Sequence, residues 1–322
     1  MNVWGTKRAL FAAAGMLVAC DGATSQIQPA AFGSAPALHQ LSQTSEHESW
    51  MKPEAKSQRL LYISDSKNRT VYVYAASSNK LEGSLTGFFD PVGECVDGSN
   101  NVWIADYENQ NVTEYAHGGT QPIAGISAGD GNPYSCSVDP TTGDIAIGIQ
   151  NFTSAPGWIM ICASPSQCTN YTHSAVSYVY FLSYDKNGNL YADGTDRNGE
   201  GFVMAVRAAG GNFKQMTIKG ATINSPGALV NKLGVLSLDQ GGGGTSTIYQ
   251  IAPDGTVTGS TQLSGANDCG QFAISGNLKY ARVTCPNRSG NVTKYKYPAG
   301  GVPIVTLSGP FSTPFAAVYS NP

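Results

Sequence analysis

The chain has 322 residues, of which 13% are charged, and a formal net charge of −3. Nucleic-acid binding rests on Lys and Arg neutralising phosphates, and this balance excludes it. The 38 Gly and 16 Tyr, with Gly-rich turns between short aromatic and β-branched runs, point to an all-β protein.

The first segment reads as a targeting sequence. Lys7 and Arg8 precede the apolar run Ala9 to Ala19 (ALFAAAGMLVA), which suits a secretory core and is too short to span a bilayer. The run ends in Leu17-Val18-Ala19-Cys20, which resembles the lipobox of bacterial lipoproteins. That resemblance implies a signal peptide over 1–20, lipidation at Cys20 and an exported chain anchored to the envelope by lipid alone, on the periplasmic or cell-surface side. An ordinary signal peptide with a chance Cys is the plainer alternative. Residues 21–58, rich in Ser, Gln, Ala and Pro, read as a flexible tether.

From residue 59 the sequence repeats. Short strands end at Asp65, Asp106, Ile149, Asp193, Asp239 and Arg282, at intervals of about 43 residues. Each leads into a hairpin, with turns such as Gly118-Gly119, Gly210-Gly211, Asp254-Gly255 and Gly300-Gly301. A further strand precedes each unit: 91–97, 133–139, 178–185, 226–231, 269–275 and 314–320. Four strands per unit at this period predict a six-bladed β-propeller over 59–322. The strand 60–65 has no inner strand before it, and 314–320 has nothing after it. Pairing the two completes the first blade and removes the open edges.

The unit PVGECVDGSNNVWIADYENQNVTEYAHGG (91–119) resembles an NHL-type repeat, with Asn111 and Thr70 where that pattern often has Arg. The chain from 60 onward is also similar to secreted bacterial six-bladed propellers carrying the phrases GECVD and YAHGG. The resemblance implies a fold and carries no activity, since propellers host many functions.

Beyond Cys20, six cysteines remain: Cys95, Cys136, Cys162, Cys168, Cys269 and Cys285. An even number in an exported chain suggests disulfides. Cys162 and Cys168 flank a hairpin turn, Cys269 and Cys285 lie on antiparallel strands, and Cys95 and Cys136 remain on adjacent inner strands. A metal site is the rival, though no C-x-x-C pair occurs.

Asp65, Asp106, Asp193 and Asp239 end equivalent strands in different blades, so they read as turn caps rather than as one carboxylate pair. His117, beside a Gly-Gly turn, and His173 read as solvated; His39 and His47 fall in the tether. The six N-x-S/T sequons read as polar turn residues, and no hydrolase elbow, zinc helix or phosphate loop is present. No residue is assigned as catalytic. Inner strands of a propeller all run one way, so their starts share a mouth. Asp90, Asn132, Asn224 and Asp268 stand at those starts and are the candidate ligand residues, with Glu94 and Gln271 further along. Two functions stay open. One is a binding scaffold for a protein, peptide or glycan, without a cofactor. The other is a metal-dependent hydrolase or lactonase, since six-bladed enzymes of that kind hold a divalent cation on inner-strand Glu, Asn and Asp; Ca2+ or Mg2+ would suit such oxygen ligands.

Overall fold

The structure is a computed structural model that describes residues 48–151, 156–196, 202–231, 234–239, 245–276 and 282–322. The signal segment, Cys20, His39, His47 and most of the tether lie outside the described residues. The described chain is built from strands, with one short 3-10 helix at Pro53–Ser57.

The repeats fold as expected, into four-stranded antiparallel units arranged as a propeller. Blade 2 is representative: Pro91–Val96, Val102–Asp106, Asn111–Tyr115 and Pro122–Ser127 hydrogen-bond in chain order. Blades 3 and 4 follow the same order from Asn132 and Tyr178. The blade count needs a qualification. Among the described residues hydrogen bonding yields five sheets, and the last in chain order has eight strands. It contains the fifth and sixth units, whose outer strands Val257–Ser264 and Gly300–Leu307 meet through one parallel pair, Leu263 with Gly301.

Closure is as the sequence predicts. Pro314–Ser320 pairs antiparallel with Leu60–Asp65, from Leu60 opposite Ser320 to Asp65 opposite Pro314. Blade 1 also carries something the sequence hid. Trp50–Met51 pairs with Ser84 and Gly83 on its outer edge, making a fifth strand. A Cβ on Gly83 would lie 2.5 Å from Trp50 O, so the added strand needs glycine there. Residues 48–58 therefore belong to blade 1 and not to a tether.

The alternation of strand residues distributes the core between blades. Val102 and Ile104 face blade 1, packing with Leu60, Tyr62, Val71 and Val73. Trp103 and Ala105 face the other way, toward Tyr134 and Cys136 of blade 3. Both faces of blade 2 are thus consumed as core, and each fully buried Ile or Leu contributes about 1.5–3 kcal/mol.

Three disulfides join Cys95 to Cys136, Cys162 to Cys168 and Cys269 to Cys285. The first staples the inner strands of blades 2 and 3, the second closes a hairpin, and the third links the start of blade 6's inner segment to its second strand.

His117 departs from the solvated reading. Its Nε2 donates to Gln58 O at 3.0 Å, and its Nδ1 lies 2.6 Å from Ser320 Oγ. Ser320 Oγ also donates to Asn100 O, and the adjacent Gly118 N donates to Tyr62 OH. The turn of blade 2 therefore grips both strands of the closing pair at their Leu60–Ser320 end. Burial lowers the imidazole pKa. Replacing His117 with Ala removes two half-buried ties, so unfolding in urea should show a loss of about 1–3 kcal/mol. Ile104→Ala, which empties the seam between blades 1 and 2, should cost about 2–5 kcal/mol.

Candidate functional site

The inner strands do not run straight. Their registers slip between Pro91 and Glu94, between Pro133 and Ser135, between Val179 and Leu182, between Pro226 and Leu229, and between Pro314 and Ala316. A bulge bends a strand and re-aims the side chain it carries. Here the bulged positions include Tyr134, Tyr180, Phe181 and Phe315, and their rings converge from three blades. Tyr134 lies edge-on to Tyr180 at 5.2 Å, to Phe181 at 5.5 Å and to Phe315 at 5.2 Å. Tyr107 adds a fifth ring 6.2 Å from Tyr134. Phe315, Phe181 and Tyr134 are buried, whereas Tyr107 and Tyr180 are half-buried. The rings form a floor beneath the mouth at the strand starts.

Charge sits on that floor. Arg288, from the turn after the second strand of blade 6, holds its guanidinium carbon 4.9 Å from the centre of the Phe315 ring. Its Nη1 lies 3.8 Å from Asp268 Oδ1, and Asp268 itself is held at a positive φ of 57°. The same guanidinium acts electrostatically on Asp90, Tyr134 and Tyr180. The Asp90 carboxyl is pushed up to about 6, chiefly by burial, then by Asp106 and Glu108; Arg288 and Arg69 oppose the shift. Arg69 stacks over Phe89 at 4.3 Å beside it.

Of the four candidates from the sequence, Asp268 lies beside Arg288, whose charge also acts on Asp90. Asn132 is engaged structurally: its Nδ2 donates to Tyr107 O at 2.9 Å, tying blade 3 to blade 2. Asn224 is exposed on the loop ahead of Pro226. The strand-ending carboxylates are caps. Asp65 accepts from Ser312 N at 2.6 Å and Thr313 N at 3.0 Å, Asp106 from Asp90 N at 2.8 Å, and Asp193 from Phe181 N at 2.8 Å. Asp65 and Asp106 fix the segments that enter their own blades' inner strands, and Asp193 fixes the bulge within its own; the Asp239 side chain lies outside the described residues. Among the described residues no group of three or more His, Cys, Asp or Glu is placed to hold a metal ion. The sequence reading missed Arg288, Tyr134, Tyr180 and Phe315. The one available signal was an aromatic straight after the strand-starting proline, in Pro133-Tyr134 and Pro314-Phe315.

Beyond the floor, the far ends of the inner strands enclose a funnel of about 290 Å³ lined by all six of them. Gln271 closes its inner end across blade boundaries. It accepts from Glu94 N at 2.9 Å and donates to Glu94 O at 2.5 Å, so blade 6 is tied to blade 2 past blade 1. Here Gly93 approaches Tyr134 O so closely that a Cβ would lie 2.4 Å away. The Glu94 side chain is fully buried, and neither carboxyl oxygen has a hydrogen-bond partner. Burial holds this carboxyl well above the usual range, so the protonated form is the folded one. A folded pKa above the unfolded value gives a contribution that is complete at low pH and lost as pH rises above about 4.5. Glu94→Gln keeps the shape without the ionisation. Its melting temperature should match the wild type near pH 4 and exceed it increasingly toward pH 8.

No protein-family model matches the chain, and no curated protein matches it in sequence. Solved structures match in fold. A chain from the crystal structure of a nidogen/laminin complex superposes with a TM-score of 0.64 at 14% identity, covering 81% of this chain and 98% of that one. A functionally unknown protein from Desulfotomaculum acetoxidans DSM 771 gives 0.60 at 11% identity, covering 82% and 100%. A protein of unknown function from Bacteroides caccae gives 0.56 at 9%, covering 83% and 100%. The fold is that of a β-propeller. At these identities the likeness extends to fold alone.

Proposed function

We propose that the protein is an exported propeller, lipid-anchored through Cys20, that binds a protein, peptide or glycan ligand at the strand-start mouth. The observation that carries this is the aromatic floor of Tyr134, Phe181 and Phe315 with Arg288 laid on it, flanked by Asp268 and Asp90. Rings offer apolar contact area at low entropic cost, and a stacked guanidinium offers oriented donors. The half-buried phenols of Tyr107 and Tyr180 extend this surface toward solvent. Three disulfides suit an oxidising compartment, which agrees with export. A chain of the same fold occurs in a nidogen/laminin complex, so the architecture is compatible with assembly between proteins.

The metal-dependent hydrolase reading draws on one observation, the Asp90 carboxyl at about 6, which is poised to exchange a proton near neutrality. Thermal melting with Ca2+ and with Mg2+ separates the two readings. The binding reading expects no saturable shift with either ion, and a shift abolished by Asp90→Ala would favour the hydrolase. For the binding reading itself, glycan and peptide arrays probed with wild type and with Arg288→Ala are decisive. Signals that fall by at least about tenfold in the variant support this mouth, the effect of losing a charge-assisted contact; signals unchanged by the substitution place binding elsewhere. Mass spectrometry of the mature N-terminus tests the anchor, and an unmodified Cys20 removes it.

A further inference from the structure

Among the described residues, the seam where blade 6 meets blade 1 gathers positive charge without a carboxylate at bonding distance. On the second and third strands of blade 6, Thr284 pairs with Lys294 and Arg282 with Lys296, which puts the four on one face. That face meets Tyr319 of the closing strand: Thr284 Oγ1 lies 2.6 Å from the Tyr319 hydroxyl. Lys294 Nζ is 6.0 Å from the centre of the Tyr319 ring, and the guanidinium carbon of Arg59 is 4.5 Å from it. Two cations are therefore held against one ring, and Arg282 acts on both Lys294 and Tyr319 from the same side of the seam.

Lys294 is 3% exposed, and among the described residues its ammonium donates to a neutral acceptor, Asn79 Oδ1 at 2.5 Å. The Nε of Arg59 is buried with no hydrogen-bond partner. Among the described residues every ion pair involves other side chains, so none of these three cations has a carboxylate at bonding distance. Burial, then Arg282 and Arg59, bring the Lys294 ammonium down to about 8. Buried like charges are costly unless something of opposite sign joins them. Tyr319 also lines the funnel, so the cluster stands beside the mouth at the strand ends, on the face opposite Arg288.

We propose that this seam is an oxyanion site, in which a phosphate or sulfate group sits between Arg59, Arg282 and Lys294. Arg donors match the oxygen geometry of such a group, and Lys supplies a compact charge. The Asn79 amide and the Thr284 and Tyr319 hydroxyls supply neutral contacts at its border. The group enters as free phosphate or as the headgroup of an anionic lipid, and these differ in what they do at a membrane.

The test uses inorganic phosphate as the probe, titrated into the mature protein at constant ionic strength against chloride, read by calorimetry and by thermal melting. Saturable binding and a rise in melting temperature are expected. Arg282→Gln, a change at an exposed position, should weaken binding about tenfold or more, the loss of one charge-assisted hydrogen bond. Arg59→Gln should do the same, which guards against a folding defect in either variant. Wild-type affinity should fall as pH rises through about 8 and Lys294 loses its proton. Sedimentation with phosphatidylglycerol–phosphatidylcholine vesicles forms the second arm: retention by vesicles that both variants lose assigns the headgroup, and phosphate binding alone assigns the free anion. No saturable response in either arm, or a response equal in wild type and both variants, overturns the proposal.

Discussion

The molecule depends on one strand pairing, that of Pro314–Ser320 with Leu60–Asp65. Every other blade is made from consecutive strands and needs only local hairpins. Blade 1 alone brings together residues from the two ends of the repeat array, and its formation converts a curved row of sheets into a ring. The pairing is reinforced at both ends. Asp65 receives the amides of Ser312 and Thr313 at one end, and His117 and Asn100 hold Ser320 at the other. Loop-closure entropy over the whole array must be overcome by this one seam. The density of buried ties there is the physical answer to that demand.

The functional face follows from the same ring. Inner strands crowd toward the axis, where there is no room for uninterrupted pairing of large side chains. The chain relieves the crowding in two ways. It uses glycine where backbones nearly touch, as at Gly93, and it bulges the strands so that aromatic side chains turn inward and fill the axis. The floor under Arg288 is thus a product of packing geometry, and the cation resting on it inherits a fixed position. Asp65, Asp106 and Asp193 supply the third element, by pinning the entry or the bulge of their own blade's inner strand.

The period, the four strands per unit, the closure and the three disulfide pairs were legible in the sequence because each is a local pattern repeated or counted. The alternation Val102, Ile104 against Trp103, Ala105 likewise gave the two packing faces of blade 2. What stayed hidden was long-range. Trp50–Met51 is too short to show strand periodicity, and its partner Gly83 identifies itself only by what it allows to approach. His117 looked solvated because its acceptors, Gln58 and Ser320, are remote in the chain. Asp90 and Asp268 were found from the shared mouth of the inner strands. Arg288 was not, because it arrives from a turn between the second and third strands, and nothing local marks a side chain that reaches over another blade. The separation of the fifth and sixth units into distinct sheets was also overstated by the sequence, since one parallel pair at their outer edges joins them.

The Gln271 clamp also divides the axis chemically. Its amide is bonded to both backbone groups of Glu94, and the rings of Tyr134 and Phe315 pack against each other in the neighbouring layer. The strand-start mouth therefore presents rings with Asp90, Asp268 and Arg288, whereas the funnel at the strand ends is lined by Gln271, Glu94 and Tyr319. A group approaching from one side meets stacked rings and mixed charge, and one approaching from the other meets backbone edges and a phenol.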